Sequence, residues 1–138
     1  MPKKGEKVFV DTNIFLRFLT GDDPARAERC RAFFERADRG EMELHISDLT
    51  LAELAWTLRS YYARPREEIA AILAQVLDMR SVRVSRKGVL RDAVAMYGQQ
   101  NVDFIDAYHA AEMRRRELRR IYSYDEDFDR LGIKREEP

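Results

Sequence analysis

The chain has 138 residues, 45% of them hydrophobic, which is enough for a real core, and residues 1–138 are expected to form a single domain. Its 25 basic residues balance 25 acidic ones. Zero net charge argues against a uniformly basic coat for nucleic acid, though not against a local basic patch beside an acidic pocket. The single cysteine excludes an internal disulfide. No apolar run approaches the ~18 residues that span a bilayer, and MPKKGEKVFV lacks the apolar core of a signal peptide, so a cytoplasmic location is expected.

In chain order, Lys7–Val10 is a short β-rich run that ends at Asp11. Asn13–Thr20 is apolar at helical spacing and stops at Gly21. Asp23 followed by Pro24 opens a helix that ends near Gly40, with an N-cap acid and proline at the first helical position. Within it, Cys30 reads as a small packed residue. Glu43–Ser47 is a second strand. Ser47 or Asp48 caps a helix that runs to about Tyr62, and a further helix follows Pro65. Ser81–Val84 is a third strand, Lys87–Gln99 a helix, and Asp103 to about Leu118 another. Arg120–Tyr124 is a fourth strand, followed by a short helix over Glu126–Leu131. The tail KREEP is polar and is expected to fray. Strands alternate with helices, so the fold class is α/β, with a parallel sheet covered by helices. The two consecutive helices after the second strand form an αα-hairpin insertion.

Four acids stand where strands end or helices begin: Asp11 in VFVDTN, Glu53 in LTLAELAW, Asp106 in DFIDAYHAA and Asp125 in YSYDEDF. In an open parallel sheet, ligands bind beyond the carboxyl ends of the strands. A fold that gathered these acids there would crowd like charges, and a divalent cation would neutralise them. Taken singly, each has a plainer explanation. Asp11 and Asp125 can cap helices, Asp106 can complement a helix dipole, and Glu53 can be a surface acid, while Asp103 caps its helix in either reading. Two details weigh against that for the set: Glu53 and Asp106 are both embedded among apolar neighbours, where a solvated acid is less expected.

DTN after an apolar strand, then AEL, DFIDAYHAA and SYDEDFDRL, in this order and over about Val8–Leu131, resembles the PIN domain family, and within it the small VapC-like toxin ribonucleases. The resemblance implies a three-layer α/β/α sandwich with a four- to five-stranded parallel sheet. It implies Mg²⁺- or Mn²⁺-dependent hydrolysis of RNA, leaving a 5′-phosphate and a 3′-hydroxyl. Matched residue by residue, it assigns catalysis to Asp11, Glu53, Asp106 and Asp125. Thr12, Asn13 and Ser123 become hydrogen-bonding supports, with Asp103 and Asp127 nearby in open roles. Mg²⁺ favours oxygen ligands and needs only one or two direct carboxylates. Asp11 and Asp106 are the expected direct ligands. The implied partners are an RNA substrate, a small antitoxin and a second copy of the chain, with no membrane.

Other residues carry less. His45 and His109 read as structural, and no Cys/His spacing suggests zinc. The run RRRELRR over Arg114–Arg120 reads as a solvated helix end, and Arg17 and Lys87 are better phosphate ligands. Trp56, Tyr61 and Tyr62, with the stripe Ile69, Ile72, Leu73 and Val76, read as core. The apolar faces of Asp48–Tyr62 and Glu67–Met79 also offer an antitoxin or dimer surface. Competing readings are a PIN-fold nuclease of RNA processing and a non-catalytic PIN-fold interaction module. A receiver-like or phosphatase domain with Asp11 as nucleophile is a third, but it wants a lysine after a late strand, and RIYSYDED offers none.

Overall fold

The computed structural model describes residues 3–138. They form β1 (Glu6–Phe9), α1 (Thr12–Thr20), α2 (Pro24–Asp38), β2 (Met42–His45), α3 (Asp48–Ser60) and α4 (Arg66–Asp78). These are followed by β3 (Val82–Arg83), α5 (Lys87–Gln99), α6 (Phe104–Arg115), β4 (Arg120–Tyr122), α7 (Asp127–Arg130) and β5 (Lys134–Glu136). The class is α/β and every strand pairing is parallel. No helix among the described residues is long and apolar enough to cross a membrane. The chain divides into two compact units, residues 1–54 with 76–85, and residues 55–75 with 86–138.

The first unit holds a parallel sheet in the order β1-β2-β3. Val8 is opposite Leu44, and Leu44 is opposite Val82. Met42 and Leu44 alternate with the half-exposed Glu43 and His45, so one face of β2 is buried, as period-2 patterning requires. Here α1 packs on α2, with the Phe15 and Phe34 rings 5.1 Å apart. Gly21 ends α1 in the left-handed region (φ 64°), where its N–H donates to the Arg17 carbonyl. Asp23 caps α2 by accepting from the Arg26 N–H at 3.1 Å.

In the second unit, α5 and α6 pack together, and β4 pairs with β5. The Arg66 guanidinium lies 4.4 Å over the Tyr97 ring and donates to the Tyr97 carbonyl and to the Asn101 side chain, fastening the end of α5. α6 ends three residues before the predicted Leu118, because the backbone turns left-handed at Glu117 (φ 57°).

Two expectations fail here. The tail is a strand rather than frayed: Lys134–Glu136 pairs with Arg120–Tyr122, and Arg135 donates to the Ser123 carbonyl and pairs with Asp129. Its side chains are all charged, so no apolar alternation announces it. Trp56 and Tyr61, read as core, are 69% and 77% exposed. The buried positions of α3 are Leu51, Leu54, Ala55 and Leu58. Residues 49, 53, 56 and 60 recur at helical spacing on the opposite, exposed side. That periodicity also exposes Glu53, whose apolar neighbours suggested burial. The stripe of α4 is core as expected, with Ile69, Leu73 and Val76 buried.

Candidate active site

In the second unit, three carboxylates converge. Asp103 precedes α6, Asp106 stands in its first turn and Asp127 opens α7. One oxygen from each lies within 4.8 Å of the others. Asp103 occupies the N-cap position of α6, yet its side chain makes no capping bond; only its carbonyl serves the helix, accepting from the Ala107 N–H at 3.1 Å. The expectation that Asp103 caps with its carboxylate is therefore corrected. Asp127 also pairs with Arg130 one turn on.

Asp125 holds the preceding loop. Its Oδ1 accepts from the Asp127 N–H at 2.9 Å, and its own N–H donates to Ser123 Oγ at 2.9 Å. Thus Ser123 and Asp125 together set the turn that presents Asp127.

Asp106 is the electrostatic centre. Its Oδ2 is buried and has no hydrogen-bond partner. Its pKa is pushed up to about 7, first by desolvation, then by the Asp125 carboxyl beside it, and then by the charges of Asp103 and Asp127. Near neutrality, Asp106 thus keeps a proton that a solvated carboxylate would have lost.

The donor set is all oxygen, and Asp106 Oδ2, buried and unpartnered, faces a neighbourhood of like charge. Both features fit a hard divalent cation such as Mg²⁺ or Mn²⁺. Among the described residues, Asp103, Asp106 and Asp127 form a group able to hold one.

In the first unit, Asp11 stands two residues beyond β1 and caps α1, accepting from the Thr12 N–H at 2.7 Å. Thr12 is buried, whereas Asp11, Asn13 and Glu53 are exposed. Asp11 and Asn13 lie at a groove of about 630 Å³. Its wall is supplied by α1 and α2, with Arg17, Arg26 and Arg29 among the lining residues. Sequence reading singled out Arg17 but missed Arg26, Arg29 and Phe33. Their i, i+3, i+7 spacing was the available signal.

The remaining residues are placed as follows. His45 bonds Glu43 at 2.7 Å, and Arg17 bridges Asp22 at 2.9 Å. His109, expected to pack half-buried, is exposed. Arg115 pairs with Asp92 at 3.0 Å and Arg114 donates to the Leu131 carbonyl, so the basic run serves the helix end.

A PIN domain family model matches residues 8–134. Over 129 residues the chain is 25% identical to the VapC ribonuclease of Aquifex aeolicus (strain VF5), covering 94% of this chain and 95% of that protein. No solved structure matches it. With its parallel α/β framework, and with the family model matched over nearly its whole length, the chain belongs to the PIN domain family.

Proposed function

We propose that this protein is a metal-dependent endoribonuclease and the toxin of a VapBC-type toxin–antitoxin pair. Kinship to a VapC ribonuclease supports the activity. The single structural observation that carries the metal reading is the buried, unpartnered Asp106 Oδ2, with Asp103 and Asp127 oxygens close by. A bound Mg²⁺ or Mn²⁺ would supply a more acidic water and offset charge on the scissile phosphate. Asp106 is a ligand in this reading, as sequence suggested, with Asp103 and Asp127 beside it in the same unit. Asp11, Glu53 and Asp125 keep the catalytic roles that the family resemblance assigns them.

Capping bonds do not preclude these roles. A carboxylate offers two oxygens and about four lone-pair sites, so Asp11 keeps acceptor capacity after serving the Thr12 N–H. Thr12, Asn13 and Ser123 steady the carboxylates. Asp106 must lose its proton to bind metal, so activity should rise with pH through about 7.

The partners in this reading are an RNA substrate, a small antitoxin and a second copy of the chain, in the cytoplasm. Trp56 and Tyr61 offer exposed apolar surface for protein contact. The test is cleavage of RNA by purified protein with Mg²⁺ or Mn²⁺ and with EDTA. Loss of cleavage in EDTA is expected. Undiminished cleavage in EDTA, with metal absence verified by elemental analysis, would refute the metal requirement. Growth arrest on expression alone, relieved by the adjacent small gene, supports the toxin role. Equal growth in both cases would favour RNA processing.

A further inference from the structure

Two arginines of the second unit grip the segment that leads into α6. Val102 and Phe104 are buried there, and Asp103 between them is exposed. From α4, Arg66 donates to the Val102 carbonyl and, at 3.2 Å, to the Asn101 side chain. From α7, Arg130 Nη1 donates to the Asn101 carbonyl at 3.2 Å, and the same nitrogen bonds Asp127 Oδ1. Asp127 lies in the carboxylate cluster with Asp103 and Asp106. The contacts thus close a ring: along the chain from Asn101 to Asp103, across the cluster to Asp127, through Arg130, and back to Asn101.

An exposed Arg–Asp pair one helical turn apart ordinarily contributes at most about 1 kcal/mol. The second bond sets Arg130 apart, because its acceptor is a backbone carbonyl 29 residues earlier, in the segment that carries Asp103. The guanidinium therefore spans the two segments whose acids must meet. α7 has other anchors: Phe128 and Leu131 are buried, Arg135 pairs with Asp129, and Arg114 donates to the Leu131 carbonyl. Like charges in the cluster repel, so an Asp127 carboxylate with no such bond would turn towards solvent.

We propose that Arg130 is a positioning residue of the metal centre: braced on the Asn101 carbonyl, it holds the Asp127 carboxylate beside Asp103 and Asp106, so that a divalent cation meets a preassembled donor set. The proposal rests on the metal reading above. Groups that orient metal-ligating side chains typically contribute roughly 10–100-fold to metal affinity. The sign of the effect is diagnostic. A neighbouring cation repels Mn²⁺, so if Arg130 acted only as a charge, its removal would tighten binding. Positioning requires the opposite.

The test is Mn²⁺ binding to the full chain without RNA, followed by the electron paramagnetic resonance signal of the free ion. Arg130→Gln should bind Mn²⁺ about tenfold or more weakly than the wild type. Arg130→Lys keeps the charge and has three donors for two acceptors, so it should stay within about threefold of the wild type. Because Arg130 acts through Asp127, the effects should not add: in an Asp127→Asn background, Arg130→Gln should cost about twofold at most. In EDTA, both Arg130 variants should melt within about 3 °C of the wild type, as loss of a surface pair allows.

Wild-type or tighter affinity in Arg130→Gln would overturn the proposal. So would full additivity with Asp127→Asn, or a larger fall in melting temperature in EDTA, which would make Arg130 a structural brace. Failure of the metal reading gives a different pattern: the wild type itself shows no saturable Mn²⁺ binding that Asp106→Asn removes, and the proposal falls with it.

Discussion

Asp106→Asn should make the metal-free protein more stable at neutral and alkaline pH. Folding moves the Asp106 carboxyl from 3.8 to about 7. A raised acid pKa means that the native state holds a proton the unfolded chain has released. Stability therefore falls as pH rises between those two values. Below about 4 the penalty is absent, and above about 7 it is fully present. At 1.36 kcal/mol per pH unit, the rise from 3.8 to about 7 sets an upper limit of about 4 kcal/mol. Asp106 is only part-buried, so solvent screening reduces this to about 2 kcal/mol.

The asparagine amide keeps the side chain's shape and cannot ionise, so the penalty disappears. At about 3 °C per kcal/mol for a chain of this size, the variant should melt ~6 °C higher at pH 8. The two proteins should converge near pH 4. Thermal unfolding in EDTA at half-unit pH steps reads the difference directly, and pH effects common to both proteins cancel. Adding Mg²⁺ should reverse the order, because a ligand that binds only the native wild type stabilises it by mass action. Equal melting temperatures at pH 8, with parallel pH profiles, would mean that Asp106 titrates as an ordinary surface acid and that the electrostatic account of the site is wrong.

Asp11→Asn should abolish RNA cleavage while leaving the melting temperature within about 2 °C, because asparagine caps a helix as well as aspartate does; near-normal turnover would reduce Asp11 to its bond with the Thr12 N–H. Arg66→Ala should cost about 2–3 kcal/mol in urea unfolding, since it removes charge-assisted bonds to the Tyr97 carbonyl and Asn101 together with the stacking on Tyr97. A loss below 0.5 kcal/mol there would show that the end of α5 is held by apolar contacts alone.

What the sequence revealed follows the strength of each physical signal. Lys87–Gln99 has the same bounds in sequence and structure, because its apolar spacing is helical throughout and Val89, Leu90, Ala93, Val94 and Tyr97 face inward. The strands were read one or two residues too long at their ends: Ser81–Val84 shrinks to Val82–Arg83, since apolar alternation continues past the last ladder bond. β5 was illegible because its pairing is backbone chemistry and its side chains are charged. Glu53 and Trp56 misled for one reason: apolar neighbours in sequence are not neighbours on a helix, and both residues lie on the exposed side of α3. The acids beside Asp106 were legible as candidates, but their relative importance was not, because a helix-start aspartate looks the same whether its carboxylate caps or not.

Asp103 is where that ambiguity can be resolved. Asp11 and Asp125 each spend one carboxylate oxygen on a backbone N–H, so local structure explains part of their presence. Asp103 spends none, although it occupies a cap position, and it adds negative charge beside an already strained Asp106. A residue that forgoes a capping bond worth about 1 kcal/mol, and raises a neighbour's pKa as well, is costly to the apo fold unless something positive is held there. Serine is as good an N-cap as aspartate but a poorer metal ligand. Asp103→Ser should therefore leave the apo protein as stable as the wild type or more so, and shift the Asp106 transition to lower pH. It should also reduce the rise in melting temperature that Mn²⁺ produces in the wild type. If Asp103→Ser is instead destabilising in EDTA and responds to Mn²⁺ like the wild type, Asp103 is a structural residue, and the cation site must be built without it.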